Sequence, residues 1–307
     1  MHGFTNIGNT CYFNSAIQCF LHIHDISSHI VRNKYEGDCL FTKIYEHVVH
    51  VYFSTHEVKV FTLEPLLQEF VKLYPRFKIG EPHDAQDALL CIIDILEKGY
   101  PVIKDLLYGE TTQVTISPAS KNVIKTPFCI HILNMKNEVK SIDEMIEEGY
   151  NWNVVEGYVD DDNVKHHVAT TRCFISKNPK ILLVSFDKKS NVKVDKSLKM
   201  GYDLRGSIIH KGVQWGGHYI SMAKFGEDWI IQDDDSLGKL SELPKEDSHY
   251  ILVYSLKTPS MFYQFVFLLV STKEDPFPTS RTYTRRYHFL STIYILAYGL
   301  LVSEIRV

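Results

Sequence analysis

The order in which hydrophobic periodicity changes along the chain limits its fold more than any other feature. Up to about residue 108, apolar residues recur at helical spacing. Cys11, Ala16, Ile17, Cys19, Phe20 and Ile23 make one face of a helix starting near Asn9–Thr10, and either residue can cap it. A second helix is predicted from Asp84 to Glu97: Pro82 blocks helix upstream, Asp84 is a good cap, and Ala85, Ala88, Leu89, Ile92, Ile93 and Leu96 share a face. Residues 35–75 read as further helices and loops, ending at Tyr74–Pro75. From about 109, short Thr-, Val- and Ile-rich runs take over. They are Thr111–Ile116, Phe128–Leu133, Ile181–Phe186, Ser207–His210, His218–Ala223, Trp229–Gln232 and Tyr250–Tyr254, with one short helix at Ser141–Glu148. Helices followed by strands predict an α+β fold rather than alternating βαβ units. A helical lobe over 1–108 and a sheet lobe over 109–256 follow.

The sequence of 307 residues is 45% hydrophobic and 23% charged, enough apolar material to offset the entropy of ordering. Its formal net charge of −4, without a long basic run, gives no electrostatic grip on nucleic acid. Of its 6 cysteines no two form a CxxC pair, and MHGFTNIGNT lacks the basic and apolar regions of a signal peptide. An intracellular, reducing setting (cytosol or nucleus) is expected, where a cysteine is free to act as a nucleophile. Residues 257–307 stand apart. Phe262–Val270 and Tyr287–Val302 are apolar, and Arg285 and Arg286 flank the second run. A C-terminal membrane anchor is one reading; a helix packed on the body, or a poorly structured tail, is another.

Cys11 stands at a helix start, where the helix dipole favours a thiolate. His218 follows Gly216–Gly217 and opens a strand, and Asp233, Asp234 and Asp235 close the next one. If those strands pair antiparallel, a carboxylate returns beside the imidazole and can hold its tautomer. Nucleophile, base and orienter are then all present. Each residue alone has a plainer reading: a small core cysteine, a structural histidine, a solvated turn.

The surrounding motifs are more specific. GFTNIGNTCYFNS (3–15), HDAQD (83–87), YDLRGSIIHKGVQWGGHYISMAKFGEDWIIQDDDS (202–236) and HYILVYS (249–255) resemble, in order, the boxes of the ubiquitin-specific proteases. The resemblance covers about 3–256. It implies a papain-like thumb-and-palm catalytic domain and a cysteine-type deubiquitinase that hydrolyses the isopeptide bond after ubiquitin's C-terminal glycine. It assigns Cys11 as nucleophile, His218 as base, Asp233 as third triad member with Asp234 as its alternate, and Asn6 as oxyanion donor. Asp84 and Gln86 match positions that grip the extended ubiquitin tail. Gly217 and Tyr219 match the narrow channel around its diglycine. For Asp84 a helix cap, and for Tyr219 a core aromatic, are equally open.

Many members of that family hold zinc with two CxxC pairs in the fingers. This sequence has YVDDDN at 158–163 and no such pairs, so reduced fingers, no structural zinc and no cofactor are expected. His166 and His167 beside Asp160–Asp162 could imitate a metal site; a solvated acidic loop is the plainer expectation. The expected partners are ubiquitin and ubiquitinated proteins. Two alternatives share the fold: a catalytically silent ubiquitin-binding module and a protease for a ubiquitin-like modifier. A general papain-like peptidase is a third.

Overall fold

In the computed structural model the helical part runs β1 (Gly3–Phe4), α1 (Cys11–Leu21), α2 (His24–Arg32), α3 (Leu40–Ser54), β2 (Val60–Phe61), α4 (Glu64–Leu73), α5 (Ala85–Gly99) and α6 (Val102–Leu107). The structure describes residues 2–54, 60–133, 139–186, 192–213, 216–243 and 248–257. The C-terminal run from 258, for which an anchor was one reading, lies outside the described residues. Among the described residues no helix is long and apolar enough to cross a membrane.

Helix α1 is central. Every one of its residues is buried, which places it between other elements rather than on the surface. Thr10 occupies its N-cap position, but no side chain caps the helix. The expected Thr10 or Asn9 cap is therefore corrected. Thr10 Oγ1 instead accepts from Ile7 N and lies 3.3 Å from Asn6 Oδ1, while Asn9 Nδ2 reaches Gly80 O at 2.7 Å. The Asp84 cap on α5 is present, its carboxylate accepting from Gln86 N and Asp87 N.

The sheet part contains β3 (Gly109–Ile116), β4 (Lys121–Phe128), β5 (Ile130–Ile132), α7 (Ile142–Glu148), β6 (Asn153–Glu156), β7 (Val168–Lys177), β8 (Ile181–Ser185), β9 (Tyr202–Val213), β10 (Gly216–Phe225), β11 (Asp228–Asp233), β12 (Ser236–Leu240) and β13 (His249–Leu256). A seven-stranded sheet has the order β12-β11-β10-β9-β13-β8-β5, and a four-stranded sheet the order β4-β3-β7-β6. The first is antiparallel except for β5 on β8; the second is antiparallel throughout.

The large sheet is buried on both faces. Along β8, Ile181 and Leu183 enter the core shared with the helices, while Leu182 and Val184 enter a second core with Ile142, Met145 and Trp229. Alternation along the strand sends neighbouring side chains to opposite faces, so both cores draw on one strand. Met1–Lys257 thus make one compact unit, in which the boundary expected at 108/109 marks a change of element type.

Two further sequence expectations change. Phe128–Leu133 is not one strand: β4 ends at Phe128 in the small sheet, and β5 belongs to the large one. Nor is the acidic loop wholly solvated. His166 Nε2 lies 2.7 Å from Asp160 Oδ2, with both side chains only 8% exposed. Asp160 Oδ1 also accepts from the N–H groups of Asp162 and Val164, and Asn122 Nδ2 reaches the Asp161 carboxylate. The Asn122–Asp161 bond joins the tips of the β3–β4 and β6–β7 hairpins.

Candidate active site

The antiparallel register of β10 and β11 brings the predicted base to the predicted acid. Ser221 pairs with Gln232, so the start of β10 lies beside the end of β11. His218 Nε2 is 2.5 Å from Asp233 Oδ1. An ionised carboxylate only accepts, so Nε2 carries the proton and Nδ1 is left as the basic nitrogen. Asp234 is the farther acid, its Oδ2 lying 3.9 Å from His218 Nε2. Asp233 pairs with Ser236 across a two-residue loop, and Asp234 takes the left-handed conformation there at a φ of 49°. Asp tolerates that region better than most residues with a Cβ.

Cys11 opens α1 and is 8% exposed. Burial raises its thiol pKa. Backbone N–H groups, led by that of Tyr219, pull it down, and the Asp234 carboxylate adds to the rise. The resting group is therefore a thiol that needs a base.

Asp234 is fixed from the N-terminal side. Asn6 Nδ2 donates to its Oδ2 and Asn14 Nδ2 to its Oδ1, both at 2.8 Å, while Phe4 N donates to its backbone carbonyl. The predicted oxyanion donor, Asn6, thus spends one amide hydrogen on Asp234. Its Oδ1 accepts from Gly8 N and Thr10 N, and Nδ2 keeps a second hydrogen beyond the one given to Asp234. Gly3 packs under the same acidic turn; a Cβ there would lie 2.5 Å from Asp235 O.

Asp84 and Tyr219 meet each other. Asp84 Oδ2 accepts from Tyr219 Oη at 3.2 Å and from Tyr250 Oη at 3.1 Å, while Oδ1 accepts from Gln86 N at 2.8 Å. Burial, and then Asp84, hold both tyrosines well above the usual phenol range, so they remain donors. The carboxylate is thus the joint between α5 and the sheet, as well as a helix cap. Gln86 is half-buried and gives Asp84 its backbone N–H. Gly217 is tight for an internal reason: a Cβ would meet His210 Nε2 at 2.3 Å and Lys211 O at 2.6 Å.

His218, Asp233 and Asp234 place three ligand-type atoms within 4.8 Å of one another. Their existing partners, Asp233 for the imidazole and two amides for Asp234, fit acid–base work better than an ion. Asn14 and Tyr250 were not singled out from sequence. A helix buried on all sides that still carries Asn14, Ser15 and Gln18 was the available signal, since buried polar groups need partners.

The sequence model of the ubiquitin carboxyl-terminal hydrolase family matches residues 2–254. Ubiquitin carboxyl-terminal hydrolase 25 of Arabidopsis thaliana is 24% identical over 315 residues, spanning 82% of this chain and 47% of that protein. Ubiquitin carboxyl-terminal hydrolase 17 of the same plant is 21% identical, spanning 84% of this chain and 42% of that protein. The chain therefore covers under half the length of these relatives. Among solved structures, the SAGA DUB module of Ubp8, Sgf11, Sus1 and Sgf73 bound to ubiquitin aldehyde matches with a TM-score of 0.70 at 19% identity, over 84% of this chain and 70% of that one. The module bound to monoubiquitin matches with a TM-score of 0.72 at 18% identity, over 84% and 69%. The fold is accordingly the papain-like α+β arrangement expected from sequence, and the chain belongs to the ubiquitin carboxyl-terminal hydrolase family.

Proposed function

We propose that this chain is a thiol-dependent deubiquitinase that cleaves the isopeptide bond between ubiquitin's C-terminal glycine and a lysine side chain. The reading rests above all on the family match over 2–254, which spans a buried Cys11 at a helix start and the His218–Asp233 pair at 2.5 Å. The solved structures of similar fold hold ubiquitin or its aldehyde.

In this reading His218 Nδ1 takes the Cys11 proton as the sulfur attacks the glycine carbonyl carbon. Asp233 on Nε2 stabilises the resulting imidazolium. The oxyanion takes the remaining Nδ2 hydrogen of Asn6, a bond that strengthens only as charge develops. Nδ1–H then protonates the departing lysine amine, leaving a thioester on Cys11. Water, deprotonated by His218, releases ubiquitin and restores the thiol. Asp234, held by Asn6 and Asn14, orients the oxyanion donor and stands behind Asp233 as alternate acid. Asp84, Gln86, Gly217 and Tyr219 line the approach of the diglycine tail, with Asp84 and Tyr219 shaping it through their mutual hydrogen bond.

The test is intact-mass analysis after mixing the full chain with ubiquitin carrying a thiol-reactive C-terminus. One added ubiquitin on the wild type and none on Cys11→Ala is expected. A folded wild type that gains no mass rejects the reading. Adducts with ubiquitin-like probes alone would move the substrate to such a modifier, and failure of all probes would favour a silent binding module.

A further inference from the structure

The elements carrying Cys11, His218 and Asp233 also share a buried chain of polar side chains. Gln18 lies seven residues after Cys11 on α1, two turns along the same face. His22, which follows α1 directly, lies four residues further along that face. Ser221 lies on β10, and Gln232 on β11 immediately precedes Asp233. Tyr52 comes from α3. Gln18, Ser221 and Gln232 are completely buried; His22 and Tyr52 are nearly so.

Ser221 Oγ lies 3.1 Å from Gln18 Oε1 and 3.0 Å from Gln232 Oε1. Gln232 Nε2 lies 2.8 Å from Tyr52 Oη and 3.2 Å from His22 Nε2, and Tyr52 Oη lies 3.0 Å from His22 Nε2. One hydroxyl proton serves one carbonyl, and Gln18 Nε2 finds no acceptor among the described residues. Turning the Gln18 amide gives Nε2 an acceptor in Ser221 Oγ and leaves an unpartnered carbonyl, which costs less than an unpartnered N–H, in its former place. Every proton then points one way: Gln18 Nε2 to Ser221, Ser221 to Gln232 Oε1, Gln232 Nε2 to Tyr52, and Tyr52 to His22 Nε2, with the imidazole proton on Nδ1, which meets no acceptor among the described residues.

This chain has a geometric consequence. Ser221 and Gln232 are direct cross-strand partners, so their bond fixes the β10–β11 register. That register brings His218 to Asp233, and a slip of one residue would send one of them to the other face. Gln18 and His22 then tie the paired strands to the helix that starts at Cys11. We propose that Gln18, His22, Tyr52, Ser221 and Gln232 form a buried clamp of positioning residues that aligns Cys11, His218 and Asp233. The inference rests on the deubiquitinase reading for its role in turnover, although the alignment itself can be measured without ubiquitin.

The test compares Ser221→Ala, Gln232→Met, His22→Leu and His22→Gln in the full chain. Hydrolysis of ubiquitin bearing a fluorogenic C-terminal amide gives kcat and KM. Alkylation of Cys11 by iodoacetamide at pH 8 gives alignment independently of ubiquitin. Circular dichroism and urea midpoints at pH 7.5 identify the folded variants. Ser221→Ala and Gln232→Met should lower kcat roughly 10-fold or more with KM within about twofold, and should slow Cys11 alkylation. His22→Gln, which restores an acceptor at the chain's end, should recover what His22→Leu loses. Folded variants that keep wild-type kcat and alkylation rates would overturn the proposal, as would His22→Gln performing no better than His22→Leu. If the wild type does not hydrolyse ubiquitin, the deubiquitinase reading fails, and the alkylation rates alone decide the clamp. Should Gln232→Met not fold, Ser221→Ala, the smallest change, carries the decision.

Discussion

His22 should make this protein acid-sensitive by an amount that one substitution can isolate. The ring is buried, and burial, more than the nearby His24, lowers its pKa from 6.5 to about 3. In the folded state it must stay neutral to accept the Tyr52 proton. A group whose folded pKa is depressed contributes stability that is complete above the unfolded value and is lost as pH falls toward the folded one. At pH 4.5 the unfolded chain is protonated about 2 units below its own pKa while the folded chain still is not, which costs about 3 kcal/mol at about 1.4 kcal/mol per unit. Half-buried His131, lowered to about 4, and His24 add their own losses. Those losses are common to a wild-type and His22→Gln comparison and cancel. Urea unfolding of both proteins at pH 7.5 and pH 4.5 is the assay. The wild type should lose about 3 kcal/mol more than His22→Gln between the two conditions. Equal losses would refute the assignment of a neutral, chain-ending His22.

Other perturbations address the site more directly. Gly3→Ala places a Cβ 2.5 Å from Asp235 O and 2.7 Å from its Cα, backbone atoms that cannot rotate away. The acidic turn must move, and kcat for ubiquitin-amide hydrolysis should fall roughly 10- to 100-fold with KM nearly constant; unchanged kcat would show that β1 does not hold Asp233 and Asp234 in place. Because burial holds the Cys11 thiol above its usual range, iodoacetamide labelling of the substrate-free protein should keep accelerating up to pH 9 and beyond. A plateau reached below pH 7 would instead indicate a resting thiolate–imidazolium pair. Asp84→Ala removes an N-cap and the acceptor shared by Tyr219 and Tyr250, and should cost about 3 kcal/mol in urea unfolding; a loss under about 1 kcal/mol would show that the joint contributes little.

What the sequence determined by itself was the change from helices to strands near residue 108, the two most periodic helices, and the residues proposed for the site. Strong periodicity gave α1 and α5, because a helix face must be apolar to pack. The Asp84 cap was readable because capping is local. The residues proposed as a triad, Cys11, His218 and Asp233, were singled out through the motifs around them. Strands β4, β6, β7 and β12 were not, because largely exposed strands such as β4 lack the alternation that burial imposes. Helix α2 is polar enough on average to pass for loop.

Tertiary structure alone decided who meets whom. Nothing local joins Asn6 and Asn14 to Asp234, more than 200 residues away, or Asp84 to two tyrosines of the sheet. The same holds for Gln18, His22 and Tyr52 meeting Ser221 and Gln232. A buried amide or hydroxyl announces that it must find a partner, but the partner is set by sheet register and by helix-on-sheet packing. Both arise first from the apolar surfaces buried around them, and polar bonds such as that of Ser221 to Gln232 then hold the register in place.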